Sequence, residues 1–264
     1  MIVRLYQGRL LLVRQTDHQV VSGRLAEAWG NVPFARPEPF APLVLAAAEH
    51  DNGWAEWEAA PRVNPATRQP YQFTEMAVEE HLTLYRRGVE RVLARDPHAG
   101  LLVNLHLQGF FNHRFGTAPD IPDRRLTPGQ QEFVQRHLTE LQEQQRQVAE
   151  HIGLAEATLW AQYKLLQIYD RLSLYLCMPP LREATLGPVP VDGLGEEVTL
   201  ALRPVGEGGV AVSPWPFHGE RLGVEVEGRV VPDRAYEGDE AFRAACEAAE
   251  AVTLPYELRA GAGV

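Results

Sequence analysis

Leu43-Val44-Leu45-Ala46-Ala47-Ala48-Glu49-His50-Asp51 is an almost wholly apolar run that ends on a histidine and an aspartate. Its composition predicts a buried helix, with Gly53 as the stop. A carboxylate at the end of such a segment is expensive to bury without a positive partner or a metal. Upstream, Thr16-Asp17-His18-Gln19 reads as a capping box that starts a helix to about Trp29, with Gly30 as its stop. His18 shares a face of that helix with Val21, Ser22 and Leu25. A proline-rich connection, 33–42, joins the two helices. Residues 2–14 alternate around a Gln7-Gly8 break and read as a hairpin.

Downstream, residues 53–73 read as an aromatic-rich loop. A helix from Thr74 to about Arg95 carries His81, and a second over about 98–111 carries His106. A loop covers 112–126. Thr127-Pro128-Gly129-Gln130 repeats the capping signature ahead of a helix to His151, which Gly153 ends. The next helix, about 154–177, closes at Pro179-Pro180 and holds Asp170 in a segment that is otherwise nearly all apolar. After Pro180 the texture becomes short alternating strands separated by glycines and prolines, then an acidic helix near 239–251 and a strand near 252–258. The expected fold class is mainly α. A helical bundle over 1–185 carries the metal-binding residues. A small antiparallel sheet, built from the acidic segment 186–264 with the N-terminal hairpin as a candidate member, flanks it.

At 264 residues and 45% hydrophobic, the chain can bury a full-sized core. No run of eighteen apolar residues occurs, the N-terminus does not read as a signal peptide, and Cys177 and Cys246 form no C-x-x-C. A cytoplasmic protein is therefore expected. Of the 25 basic residues, only Lys164 is a lysine. Residues 186–264 carry a net −8 of the total −10, and no segment has a basic excess, which disfavours a nucleic-acid polymer and favours a small substrate. The three serines lie outside any G-x-S-x-G, Lys164 follows a tyrosine rather than a P-loop glycine, and neither H-E-x-x-H nor E-x-x-H occurs. What remains is a site assembled from distant residues.

Four residues stand out for it: His18, His50, Asp51 and Asp170. Two imidazoles and two carboxylates suit one divalent ion among Mn, Fe, Co, Ni, Zn and Mg. His81 and His106 are candidates for holding a second ion or for moving a proton to a leaving group. Arg62, Arg68 and Arg114 are candidates for a phosphate fork. Trp54 reads either as a stacking wall for a flat substrate or as a plug where the loop folds back. His98, His137, His151 and His218 read as core or surface histidines.

The order His18 … His50-Asp51 … Asp170 resembles the HD superfamily of metal-dependent phosphohydrolases. His50-Asp51-Asn52-Gly53-Trp54, followed by Tyr169-Asp170-Arg171-Leu172-Ser173-Leu174, further resembles a bacterial domain-of-unknown-function family grouped near them. The resemblance covers roughly residues 1–180, with the whole chain as the wider alternative. It implies that the four motif residues bind one divalent metal inside a helical bundle, with His81 and His106 matching the extra histidines of two-metal members. It departs in the long gap between Asp51 and Asp170. The implied function is hydrolysis of a small phosphoester, nucleotides included, by a metal-activated water. The alternatives are a di-iron oxygenase of HD type and a non-catalytic metal-binding or regulatory module.

Overall fold

The computed structural model describes residues 1–121, 124–192 and 195–261. The chain opens with a hairpin, β1 (Ile2–Tyr6) and β2 (Arg9–Val13). Gln7 and Gly8 both take positive φ at its turn (51° and 76°), as a two-residue hairpin loop requires. Helices α1 (Gln15–Ala28) and α2 (Phe40–Glu49) follow and pack against each other. Thr16 does not cap α1, contrary to the sequence expectation: the helix begins two residues earlier than a Thr16 cap implies, and Arg14 at the N-cap position makes no side-chain cap bond. The cap comes from the far side of the fold. Glu58 accepts the backbone N–H of Gln15 at 2.6 Å and of Thr16 at 3.3 Å, and also the Thr16 hydroxyl. Burial pushes the Glu58 carboxyl up, against these bonds. Glu58→Ala is expected to cost about 2–4 kcal/mol, because it uncaps a buried helix start next to the site. Denaturant unfolding measures this directly.

Gly53 does not end α2. The helix stops at Glu49, His50 is its C-cap, and a 3-10 turn spans Asn52–Trp54. Helix α3 (Ala55–Ala59) then occupies part of the expected 53–73 loop. Helix α4 (Val78–Arg95) starts later than Thr74, since a capping box between Gln72 and Glu75 forms a separate 3-10 turn over Phe73–Glu75. Helix α5 (Pro97–Gly109) lies against α4. Helix α6 (Pro128–Ile152) has the expected Thr127–Gln130 capping box and ends at left-handed Gly153. Helix α7 (Glu156–Leu176) packs on α1, α2 and α5.

The remainder is β3 (Ala184–Pro190), β4 (Glu197–Pro204), β5 (Gly209–Ser213), β6 (Arg221–Val231), helix α8 (Asp239–Glu247) and β7 (Glu250–Ala260). These strands and the hairpin build one seven-stranded sheet in the order β1-β2-β6-β7-β5-β4-β3. The expectation of a mainly α bundle with a small antiparallel flank is therefore wrong. The sheet is large, curled into a half-barrel, and mixed, since β5 pairs with β7 in parallel. The N-terminal hairpin joins through Leu10–Leu12 against Arg229–Val231, so the sheet draws strands from both sides of residue 185. Alternation along β6 puts Leu222, Val224, Val226 and Val230 inward, and α1 packs against this strand. One continuous core links the helices and the sheet. No helix among the described residues is long and apolar enough to cross a membrane.

Candidate metal centre

Helix α1 delivers His18, the end of α2 delivers His50 and Asp51, and α7 delivers Asp170. All four are buried, at 0%, 1%, 2% and 5% exposure. His18 Nε2 lies 3.0 Å from Asp51 Oδ2, 3.2 Å from His50 Nε2 and 3.7 Å from Asp170 Oδ1. His50 Nε2 lies 3.5 Å from Asp170 Oδ1 and 3.8 Å from Asp51 Oδ2. Ligands about 2.0–2.2 Å from one ion stand roughly 3–3.5 Å apart. The separations seen here bring His18, His50 and Asp51 into one group of candidate ligand atoms, with Asp170 Oδ1 within 3.7 Å of both rings.

The outer atoms of both rings are committed. Ala47 offers a carbonyl 2.9 Å from His50 Nδ1, and a carbonyl only accepts, so Nδ1 carries a proton. Ser173 donates its hydroxyl proton to the Asp170 carbonyl at 2.8 Å, and its oxygen then accepts from His18 Nδ1 at 2.7 Å. Both Nε2 atoms are thereby turned toward the centre. Asp51 is held in the same way: Tyr85 donates to Oδ1 at 2.5 Å, its backbone N–H donates to Gln19 at 2.8 Å, and Oδ2 faces His18. Such outer-shell bonds fix the tautomer and orientation of metal ligands.

Two buried carboxylates that approach the same imidazole favour a positive charge on it. Burial presses the His50 charge down, yet the Asp51 and Asp170 carboxylates outweigh it and push the ring up to about 9. Burial likewise pushes Asp51 up, and His50 and His18 overcome it to hold the carboxyl down at about 2. Asp170 is held well below the usual carboxylate range against its own burial, chiefly through His50. In the metal-free protein a proton on His50 supplies the charge that a divalent ion can supply in its place.

His106, from α5, is a second-tier neighbour. Its Nε2 lies 3.9 Å from Asp51 Oδ1, and it forms a further potential ligand group with His50 and Asp170. Gln167 donates to His106 Nδ1 at 2.9 Å, while its oxygen accepts from Arg114 at 3.2 Å. Arg114 has only donors, so the amide orientation is determined, and neutral His106 carries its proton on Nε2. Burial holds His106 down at about 3, which keeps it neutral.

His81 lies among Trp54, Tyr85 and Phe110, with its Nδ1 buried and unpartnered. Burial holds it also at about 3, and it belongs to neither ligand group.

A cleft of about 450 Å³ opens over Asp51, Asp170, His81 and His106. Arg114 lines it, above the Phe110 ring and in a left-handed turn at φ 50°. Arg62 and Arg68 do not reach it. Arg62 pairs with Glu80, and Arg68 donates to the Tyr236 carbonyl. Trp54 is fully buried against Trp57 and His81, as a plug rather than an exposed wall. His98, His137 and His218 bond Gln162, Phe133 and Ala28 away from the ligands. Sequence reasoning missed Tyr85, Gln167 and Arg124. Tyr85 and Gln167 could have been found at helical spacing from His81 and Asp170. Arg124, in a loop, has no such signal.

A family model described as "Protein of unknown function (DUF3891)" matches residues 1–233, and the chain belongs to that family. No curated protein and no solved structure matches it. The match speaks to the domain-of-unknown-function resemblance; the wider HD resemblance rests on residue order alone.

Proposed function

We propose that the protein is a metal-dependent hydrolase of a small phosphoester, with His18, His50, Asp51 and Asp170 holding the ion in the manner of the HD superfamily. The observation that carries this reading is the convergence of two imidazole nitrogens and two carboxylate oxygens, with the outer atoms of both rings and of Asp51 otherwise engaged. A divalent ion held there supplies a water acidic enough to ionise near neutral pH and neutralises charge on a phosphoryl oxygen. The chain's own contribution is orientation and proton handling. Ser173, Ala47, Tyr85 and Gln19 hold the ligands, and Trp54 keeps water from behind them. His106 presents Nε2–H to the cleft and is the group placed to give a proton to a departing oxygen. Its tautomer favours one ion, since a second would have to displace that proton. That weighs against the di-iron oxygenase alternative.

The test is hydrolysis of 4-nitrophenyl phosphate, bis(4-nitrophenyl) phosphate and nucleotides with each of Mn, Fe, Co, Ni, Zn and Mg. Turnover that vanishes on chelation and returns with metal supports the reading. Silence across the panel, with metal bound, leaves the binding module instead. The role of His106 has its own check. Gln167→Glu can accept from Arg114 but can no longer donate to His106, so the ring must turn its proton to Nδ1. The expected result is a loss of about 10²-fold in kcat, with the metal content unchanged. Retained kcat removes His106 as the donor.

A further inference from the structure

The cleft extends well beyond the metal ligands, and α4 measures how far. Tyr85, which donates to Asp51, sits seven residues after Val78, or about 10 Å along the helix. Arg124 donates to the carbonyl of Met76, ahead of the first turn of that helix. The candidate ligands and the Arg124 guanidinium thus line one cavity, beside two different turns of α4.

Beyond the Met76 carbonyl, Glu79 acts on the Arg124 charge only at a distance. The Nη1 of Arg124 is buried without a hydrogen-bond partner, and among the described residues no carboxylate pairs with it. A permanently charged donor left unmatched under the surface is costly, and it is matched most simply by a ligand. The apolar part of the same lining is Phe73, Phe110, Leu174 and Met178, which suits an apolar body. His81 faces the same space in its neutral form.

We propose that Arg124 receives a second anionic group of the substrate, separated by a short apolar body from the group that reacts at the metal. This rests on the phosphoester reading and narrows it to doubly anionic small molecules. The planar guanidinium fork accepts either a carboxylate or a phosphate. A cavity of about 450 Å³ holds a metabolite-sized molecule and not a polymer.

The test is calorimetric binding of three probes to the Mn-loaded protein: benzylphosphonate, 4-carboxybenzylphosphonate and 1,4-xylylenebisphosphonate. Wild type is expected to bind at least one bifunctional probe about tenfold or more tighter than benzylphosphonate. Preference for the carboxylate or for the bisphosphonate identifies which second anion fits. Arg124→Gln is expected to erase the preference, and its Mn content, compared with wild type, reports whether the site is intact. Arg124→Lys is expected to keep part of the preference. Equal affinity for all three probes, a preference that survives Arg124→Gln, or no binding of any probe overturns the proposal. Repeating the series after chelation separates the two readings. If benzylphosphonate binds equally with and without metal, the metal reading fails, while the Arg124-dependent preference is still scored.

Discussion

His50→Ala is expected to abolish stoichiometric divalent-ion binding and to lower any metal-dependent hydrolysis by about 10³-fold or more, the scale of several kcal/mol of metal-derived stabilisation. The ring sits between both carboxylates, 3.5 Å from Asp170 and 3.8 Å from Asp51. Without it they face each other with only His18 between. The metal-free protein should report the same geometry through pH. The folded pKa of His50 is raised to about 9 from an ordinary 6.5. Its contribution is therefore fully present below pH 6.5 and is lost as pH rises through 9. On the order of 3 kcal/mol of unfolding free energy should disappear across that window in chelator. Denaturant unfolding at several pH values measures this, and His50→Ala should be less stable at neutral pH and nearly flat where wild type falls. A wild-type curve that stays flat removes the proposed charge coupling.

Gly53→Ala carries the second large effect, through packing rather than charge. A Cβ at Gly53 would stand 2.1 Å from the Leu84 carbonyl oxygen and 2.8 Å from its carbon. Both are backbone atoms of α4, so no side-chain rotation relieves the overlap. Helix α4 must shift, and it carries Tyr85, the partner of Asp51 Oδ1. The expected cost is about 3 kcal/mol, near the top of the range for overpacking, together with weakened metal binding. Thermal unfolding and metal titration of the variant check both parts. A variant with wild-type stability and affinity shows that the turn over Asn52–Trp54 is free to move and does not set the ligand geometry.

Much of the ligand arrangement was legible because burial cost is legible. His18, His50-Asp51 and Asp170 each interrupt an apolar helical pattern, and the structure brings all four side chains together. The outer-shell groups were less visible: Ser173 and Gln167 look like ordinary polar positions until the rings they orient are in place. Arg62 and Arg68 illustrate the opposite case, since nothing in a loop sequence tells a ligand-facing arginine from one that bonds a neighbouring carbonyl.

The sheet was misread for a different reason. Its pairings are distant, as where β2 meets β6, and its strands contain residues that normally signal a break. Gly228 lies inside β6 where the side chain of Leu11 crosses, 2.8 Å from the position of a Cβ, and Pro255 lies inside β7 opposite Glu225. Read locally, Gly228 divides a long strand into short ones, whereas the strand expected near 252–258 already runs through Pro255. Only the pairing with β2 and β7 shows that β6 continues through its glycine.

His18, His50, Asp51 and Asp170 are expected to hold one divalent ion together. Elemental analysis of protein purified without chelator, combined with thermal unfolding before and after metal is restored, tests it most directly. The expected result is about one equivalent of a divalent metal, lost on chelation, with a melting temperature that rises when the ion returns and does not respond in His50→Ala. Protein that carries no metal, and whose unfolding ignores added Mn, Fe, Co, Ni, Zn and Mg alike, contradicts it.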